Sequence, residues 1–118
     1  MIRIKRPYDD ITPRDGVRIL VDRLLPRGKK KEELKISGWY KELPPSKELR
    51  LRFHSPLDWR EFKRLYFDEL DQKRKSLEPL IEHASEGDIT LIYGSRDRKH
   101  NNAVALKEYL ETELGNSS

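Results

Sequence analysis

The sequence predicts a single compact α/β domain, a layered and mainly parallel sheet flanked by helices. Three observations lead there. Two short β-branched apolar runs lie far apart in the chain, stretches of helical periodicity fall between them, and no repeat or low-complexity linker interrupts the whole. With 118 residues the chain holds one core and is too short for two ordinary ones, so residues 1–118 are read as one domain with a frayed tail over 115–118.

Ile2 and Ile4 alternate with Arg3 and Lys5, the period-two pattern of a short strand with one wet face, placed near a sheet edge. Pro7, Pro13 and Asp15-Gly16 punctuate the following loop. Val17-Arg18-Ile19-Leu20-Val21 is nearly unbroken apolar sequence and predicts a central strand covered on both faces. Asp22 ends that run, and residues 29–33 read as a solvated, charged stretch. From Leu34 to Leu43 the apolar positions are spaced irregularly and followed by Pro44-Pro45, which predicts no regular element.

Ser46 is placed to cap a short helix that runs through Arg52. Ser55-Pro56 marks a second start, with Trp59, Phe62, Leu65, Tyr66 and Leu70 at helical spacing behind it. Ser76 is read as the cap of a third helix with Pro79 in its first turn and Gly87 as its stop. Ile89-Thr90-Leu91-Ile92-Tyr93 is the second buried-type strand, and Ala103, Leu106, Leu110 and Leu114 form one face of the last helix.

Composition narrows the function classes. No cysteine is present, which excludes disulfides, thiolate chemistry and sulfur-ligated metal sites, and suits a reducing compartment. The amino end lacks the apolar core of a secretory signal and no run approaches a membrane span, so a cytoplasmic protein without a membrane role is expected. The 25 basic residues exceed the 21 acidic ones by only four, a mild bias rather than a polycation. The lysines and arginines at 27–31 and 73–75 can attract nucleic acid, but cations near a helix end also suit its dipole and no aromatic-basic motif accompanies them. Neither Arg27-Gly28-Lys29 nor Gly94-Ser95-Arg96 has the spacing of a nucleotide-binding loop.

If the two central strands run parallel as neighbours, the polar residues after each emerge at the same sheet edge, where open α/β sheets bind ligands. Asp22-Arg23 with Pro26-Arg27-Gly28 is one such cluster; Tyr93-Gly94-Ser95-Arg96-Asp97 with His100-Asn101 is the other. Arginine forks fit phosphate and carboxylate groups, and histidine and aspartate can move protons. Arg23, Arg27, Tyr93, Ser95, Arg96 and Asn101 are accordingly candidate ligand-binding residues, and Asp22, Asp97 and His100 candidate acids or bases. His54 and His83 read as structural, and no compact ligand spacing predicts a dedicated metal site; the sequence indicates no particular cofactor.

The same blocks carry a resemblance. Arg18-Ile19-Leu20-Val21-Asp22-Arg23-Leu24, Pro26-Arg27-Gly28, Trp39-Tyr40-Lys41-Glu42-Leu43, Phe53-His54, Leu91-Ile92-Tyr93, Arg96-Asp97 and His100-Asn101-Asn102-Ala103 stand in the order found in the domain of unknown function 488, in its YeaO-like branch. The chain resembles that family over almost its whole length. The resemblance implies a compact α/β domain of bacteria or archaea and supplies no substrate, cofactor or catalytic assignment. Leu25 stands where similar chains commonly carry tryptophan, and Asn102 where many carry histidine.

The functional expectation is a small phosphate- or carboxylate-bearing ligand bound at the strand-end rim. Whether acid/base turnover follows is left open by the residues alone. The alternative is a nucleic-acid-associated or regulatory module without chemistry, and neither reading fixes the oligomeric state.

Overall fold

The computed structural model describes residues 1–52 and 59–116. Four strands form one sheet in the order β1 (Ile2–Lys5), β4 (Ile89–Ile92), β2 (Val17–Leu20), β3 (Gly38–Trp39), and all three pairings are parallel. The edge position expected for the first strand and the interior position expected for the second are both found. Among the described residues five α-helices accompany the sheet: α1 (Lys31–Leu34), α2 (Lys47–Arg52), α3 (Trp59–Gln72), α4 (Arg74–Glu86) and α5 (Asn102–Asn116).

Alternation along the strands gives the sheet two unlike faces. Ile2, Ile19, Val21, Ile89, Leu91 and Tyr93 enter the main core with Tyr66 and Leu70 of α3, Leu77 and Leu80 of α4, and Leu106 and Leu110 of α5. The opposite face is thinner, where Leu20, Ile92 and Leu34 pack with Ile36 and Trp39. Arg18 points to this thin side and is almost fully buried, donating Nε to the Leu34 carbonyl and Nη1 to the Asp15 carboxylate. Lys5 Nζ reaches the same carboxylate at 2.6 Å. Burial alone would raise the Asp15 carboxyl; bonds from Lys5, Thr12 and Arg18 outweigh it and hold the group at about 2.

The segment expected to be irregular contains β3 and the last residue of α1. Ser37 N–H donates to the Arg18 carbonyl at 2.7 Å, Tyr40 N–H to that of Leu20 at 3.3 Å, and Trp39 Nε1 to that of Asp22 at 2.7 Å. Two residues are too few for strand periodicity, so β3 exists because β2 offers a free edge. Likewise Lys31–Leu34, read as part of a solvated stretch, closes a single turn that buries Leu34.

Ser46 caps α2 as expected, its Oγ accepting the Leu49 N–H at 3.1 Å, while its own N–H and hydroxyl donate to Glu69 on α3. The start signal at Ser55-Pro56 falls outside the described residues, as do Phe53 and His54. Ser76 is not a cap. The chain enters α4 from a tight turn after α3, with Lys73 N–H on the Leu70 carbonyl and Leu77 N–H on that of Lys73, so α4 begins at Arg74 without a side-chain cap. Pro79 therefore lies in the second turn, and both it and Lys75, whose carbonyl loses a partner, are on the exposed side. Gly87 ends the helix by closing its N–H onto the His83 carbonyl.

Candidate functional site at the carboxyl ends of the strands

β2 and β4 run parallel with Leu20 opposite Ile92, so the residues after each leave the sheet side by side. Asp22 stands two residues beyond Leu20, the last residue of β2. Its Oδ2 accepts the Gly94 N–H at 2.7 Å and its Oδ1 the Asn102 amide at 3.3 Å; the same amide donates to the Val21 carbonyl at 2.9 Å. Among the described residues no cation pairs with this carboxylate. Burial pushes the Asp22 carboxyl above its ordinary value, and the bonds from Gly94 and Asn102 oppose that rise without cancelling it.

A cleft of about 400 Å³ opens beside Asp22. Its apolar walls are Leu24, Leu25, Pro26, Pro44, Pro45 and Phe62; its polar ones include Arg23, Arg50, Ser95, Asn101 and Asn102. A second cavity of about 440 Å³ is lined by Arg6, Arg27, Arg96, Tyr8, Pro26 and Gly94. Pro26 belongs to both cavities, and the Gly94-Ser95-Arg96 turn separates them.

Arg6 is the first residue beyond β1, whose carboxyl end shares this rim because β1 is parallel to β4. Its Nη2 donates to the Gly94 carbonyl at 3.2 Å, its guanidinium lies 5.0 Å from the centre of the Tyr8 ring, and its buried Nε has no hydrogen-bond partner. Tyr8 Oη in turn donates to the Arg27 carbonyl at 2.8 Å, tying the two arginine-bearing loops together.

The loop before α5 is organised by its own side chains. Asp97 Oδ1 accepts the N–H groups of Lys99 and His100, each at 2.9 Å, and these bonds, that from His100 first, hold its carboxyl below the usual range. Asn101 is buried: its amide donates to the Asp97 carbonyl at 2.7 Å and its Oδ1 accepts the Val104 N–H at 2.9 Å, capping α5. The His100 ring packs against Trp59 with centroids 4.9 Å apart, and its Nδ1 stands 4.0 Å from Asp97 Oδ2. Tyr93 is a core residue.

The family model for the inactive DUF488-N3 subclade matches residues 1–118. The chain belongs to that family. Similar members include the uncharacterized protein YeaO of Escherichia coli K12, 40% identical over 112 residues that cover 94% of this chain and 97% of YeaO. The uncharacterized proteins Mb3100c of Mycobacterium bovis and Rv3073c of Mycobacterium tuberculosis H37Rv are each 34% identical over 110 residues, 92% of both chains. No solved structure matches.

Within this DUF488-N3 chain the sequence-derived residues divide. Asp22, Arg23, Ser95 and Asn101 share the first cleft, and Arg27 and Arg96 share the second. Asp97, His100 and Tyr93 line neither. Among the described residues no group of three or more histidines and carboxylates is placed to hold a metal ion. Sequence reasoning missed Arg6 and Arg50; Arg6 was findable, since a third parallel strand must also deliver its following residue to this rim. At position 102, where the family resemblance led to histidine, asparagine places an amide against Asp22 that cannot exchange a proton near neutrality.

Proposed function

We propose that this domain binds a small phosphate- or carboxylate-bearing ligand at the strand-end rim and does not turn it over. One observation carries the reading: Arg6, Arg27 and Arg96 converge on one cavity, and among the described residues none of their guanidinium groups makes an ion pair, the Asp9 carboxylate reaching only the backbone N–H of Arg6 and bonding Arg98 instead. Guanidinium forks not engaged by a protein carboxylate match the geometry of an oxyanion.

Binding without turnover is favoured by the groups around Asp22. Asp97 and Asn101 are engaged in holding their own loop, and the neighbour of Asp22 is an asparagine. The description of the subclade as inactive points the same way. We place the protein in the cytoplasm of a prokaryote, in keeping with its bacterial relatives and the absence of cysteine; among the described residues no helix is long and apolar enough to cross a membrane.

Titration with inorganic phosphate, followed by calorimetry or amide chemical shifts, tests the reading. Arg27→Ala and Arg96→Ala should each weaken phosphate by about tenfold or more, since a charge-assisted hydrogen bond contributes about 1.5–3 kcal/mol. Arg27→Lys should recover part of the loss, because the charge returns without the fork. Phosphate affinity indifferent to all three changes would overturn the proposal. Duplex and single-stranded DNA, titrated at low and moderate salt, form the second arm: steeply salt-dependent DNA binding without phosphate binding would select the nucleic-acid alternative.

A further inference from the structure

We infer that the two cavities are subsites for one ligand, which joins an anionic head to an apolar body bearing an N–H or O–H donor. This rests on the anion reading above and extends it to the chemical class of the whole molecule. The head belongs in the arginine cavity, whose lining among the described residues holds three guanidinium groups and no carboxylate. The neighbouring cleft also holds Arg23 and Arg50, but there the Asp22 carboxylate would oppose an anion.

That cleft suits something else. Six of its lining residues are apolar, and two of them are among the few large hydrophobic side chains left exposed: Leu24 at 75% and Leu25 at 39%. Exposed leucines on a wall that also presents a carboxylate describe a surface that gains by covering an apolar group. Asp22 adds direction. Each carboxylate oxygen can accept two hydrogen bonds, and each has one in the protein, from Gly94 at 2.7 Å and from Asn102 at a long 3.3 Å. Since among the described residues no cation forms an ion pair with it, although Arg23 and Arg50 line the same cleft, the remaining capacity is open to a donor that enters the cleft.

Continuity between the cavities is the geometric requirement, and two features meet it. Pro26 lines both, and the turn between them is three residues long, contributing Ser95 to one cavity and Gly94 and Arg96 to the other. Gly94 also accepts from Arg6 through its carbonyl while donating to Asp22 through its N–H, so one peptide unit on each side of a single residue positions both subsites. A ligand crossing this turn touches both charges at once.

The test compares three probes of one series: inorganic phosphate, phenyl phosphate and 4-aminophenyl phosphate. The ring should strengthen binding about tenfold over phosphate, and the neutral aryl amine, donating to Asp22, by about tenfold again. Ratios of affinity are the readout. In Leu25→Ser the ratio of phenyl phosphate to phosphate should fall toward one, and in Asp22→Asn the ratio of 4-aminophenyl to phenyl phosphate should fall; Leu25 is exposed enough that its substitution leaves the fold intact. If phosphate binds through the arginines but the three probes are equal, or Leu25→Ser leaves the ratio unchanged, the shared-ligand inference fails while the anion site stands. If none of the three binds, both fail.

Discussion

The Gly94 N–H lies 2.7 Å from Oδ2 of Asp22, a bond that ties the residue after β2 to the turn after β4. A Cβ at position 94 would stand 3.1 Å from that same oxygen, closer than ordinary van der Waals contact, so a larger residue there would press the carboxylate back by a few tenths of an ångström. The rim is therefore built on close approach as well as on charge.

Asp22 makes a signed prediction about pH. Its carboxyl titrates higher in the folded chain than the usual 3.8, because burial disfavours its charge. It imposes no penalty while protonated in both states, and stability is lost as pH rises from the unfolded value through the raised one, after which the penalty is constant. Denaturant titrations of wild type and Asp22→Asn at matched pH should show the wild type losing ground to the variant across that window. A difference that does not vary with pH would contradict a half-buried carboxylate with no cationic partner among the described residues.

Asp15 behaves oppositely. Held at about 2 by Lys5, Thr12 and Arg18, it stabilises the fold above its unfolded value, and that contribution is lost as pH falls through about 2. Asp15→Asn leaves the buried Arg18 guanidinium without its counterion and should destabilise by about 3–5 kcal/mol at neutral pH. The deficit should shrink in acid, measured by the same titrations.

Two glycines with left-handed backbone separate strain from collision. Gly28, at φ +78° in open space, should tolerate alanine for about 1–2 kcal/mol. Gly16, at φ +62°, would drive a Cβ to 2.0 Å from the Asp88 carbonyl oxygen, against the strand junction where Val17 N–H bonds that same oxygen. Gly16→Ala should cost several times as much, about 4 kcal/mol or more, visible as a large fall in the thermal midpoint.

Asn101→Ala tests whether this residue serves the helix or a ligand. Loss of the α5 cap should lower stability by about 1–2 kcal/mol. With the side chain occupied by the Asp97 carbonyl and the Val104 N–H, phosphate affinity of the folded variant should change by less than about twofold. A tenfold loss of binding would return Asn101 to the ligand.

By itself the sequence determined the elements that repeat a signal over several residues. The β-branched runs at 17–21 and 89–93 announced two interior strands, the Ile2/Ile4 alternation an edge strand, and the apolar periods ending in Leu70 and Leu114 the helices that cover one face. The sequence placed the two polar turns on one rim only on the condition that the strands are parallel neighbours, and the pairing of β2 with β4 meets that condition. Tertiary structure alone decided the rest. β3 is two residues borrowed by the edge of β2, α4 begins where the preceding helix hands over rather than at Ser76, and Arg18, in a run that reads as apolar, is buried against Asp15. The site followed the same division: sequence named Arg27 and Arg96, but only packing brought Arg6 to them, parted them from Arg23, and committed Asp97 and Asn101 to their own loop. Periodicity records how a segment meets the core, whereas convergence of side chains from distant loops depends on distances that no local pattern encodes.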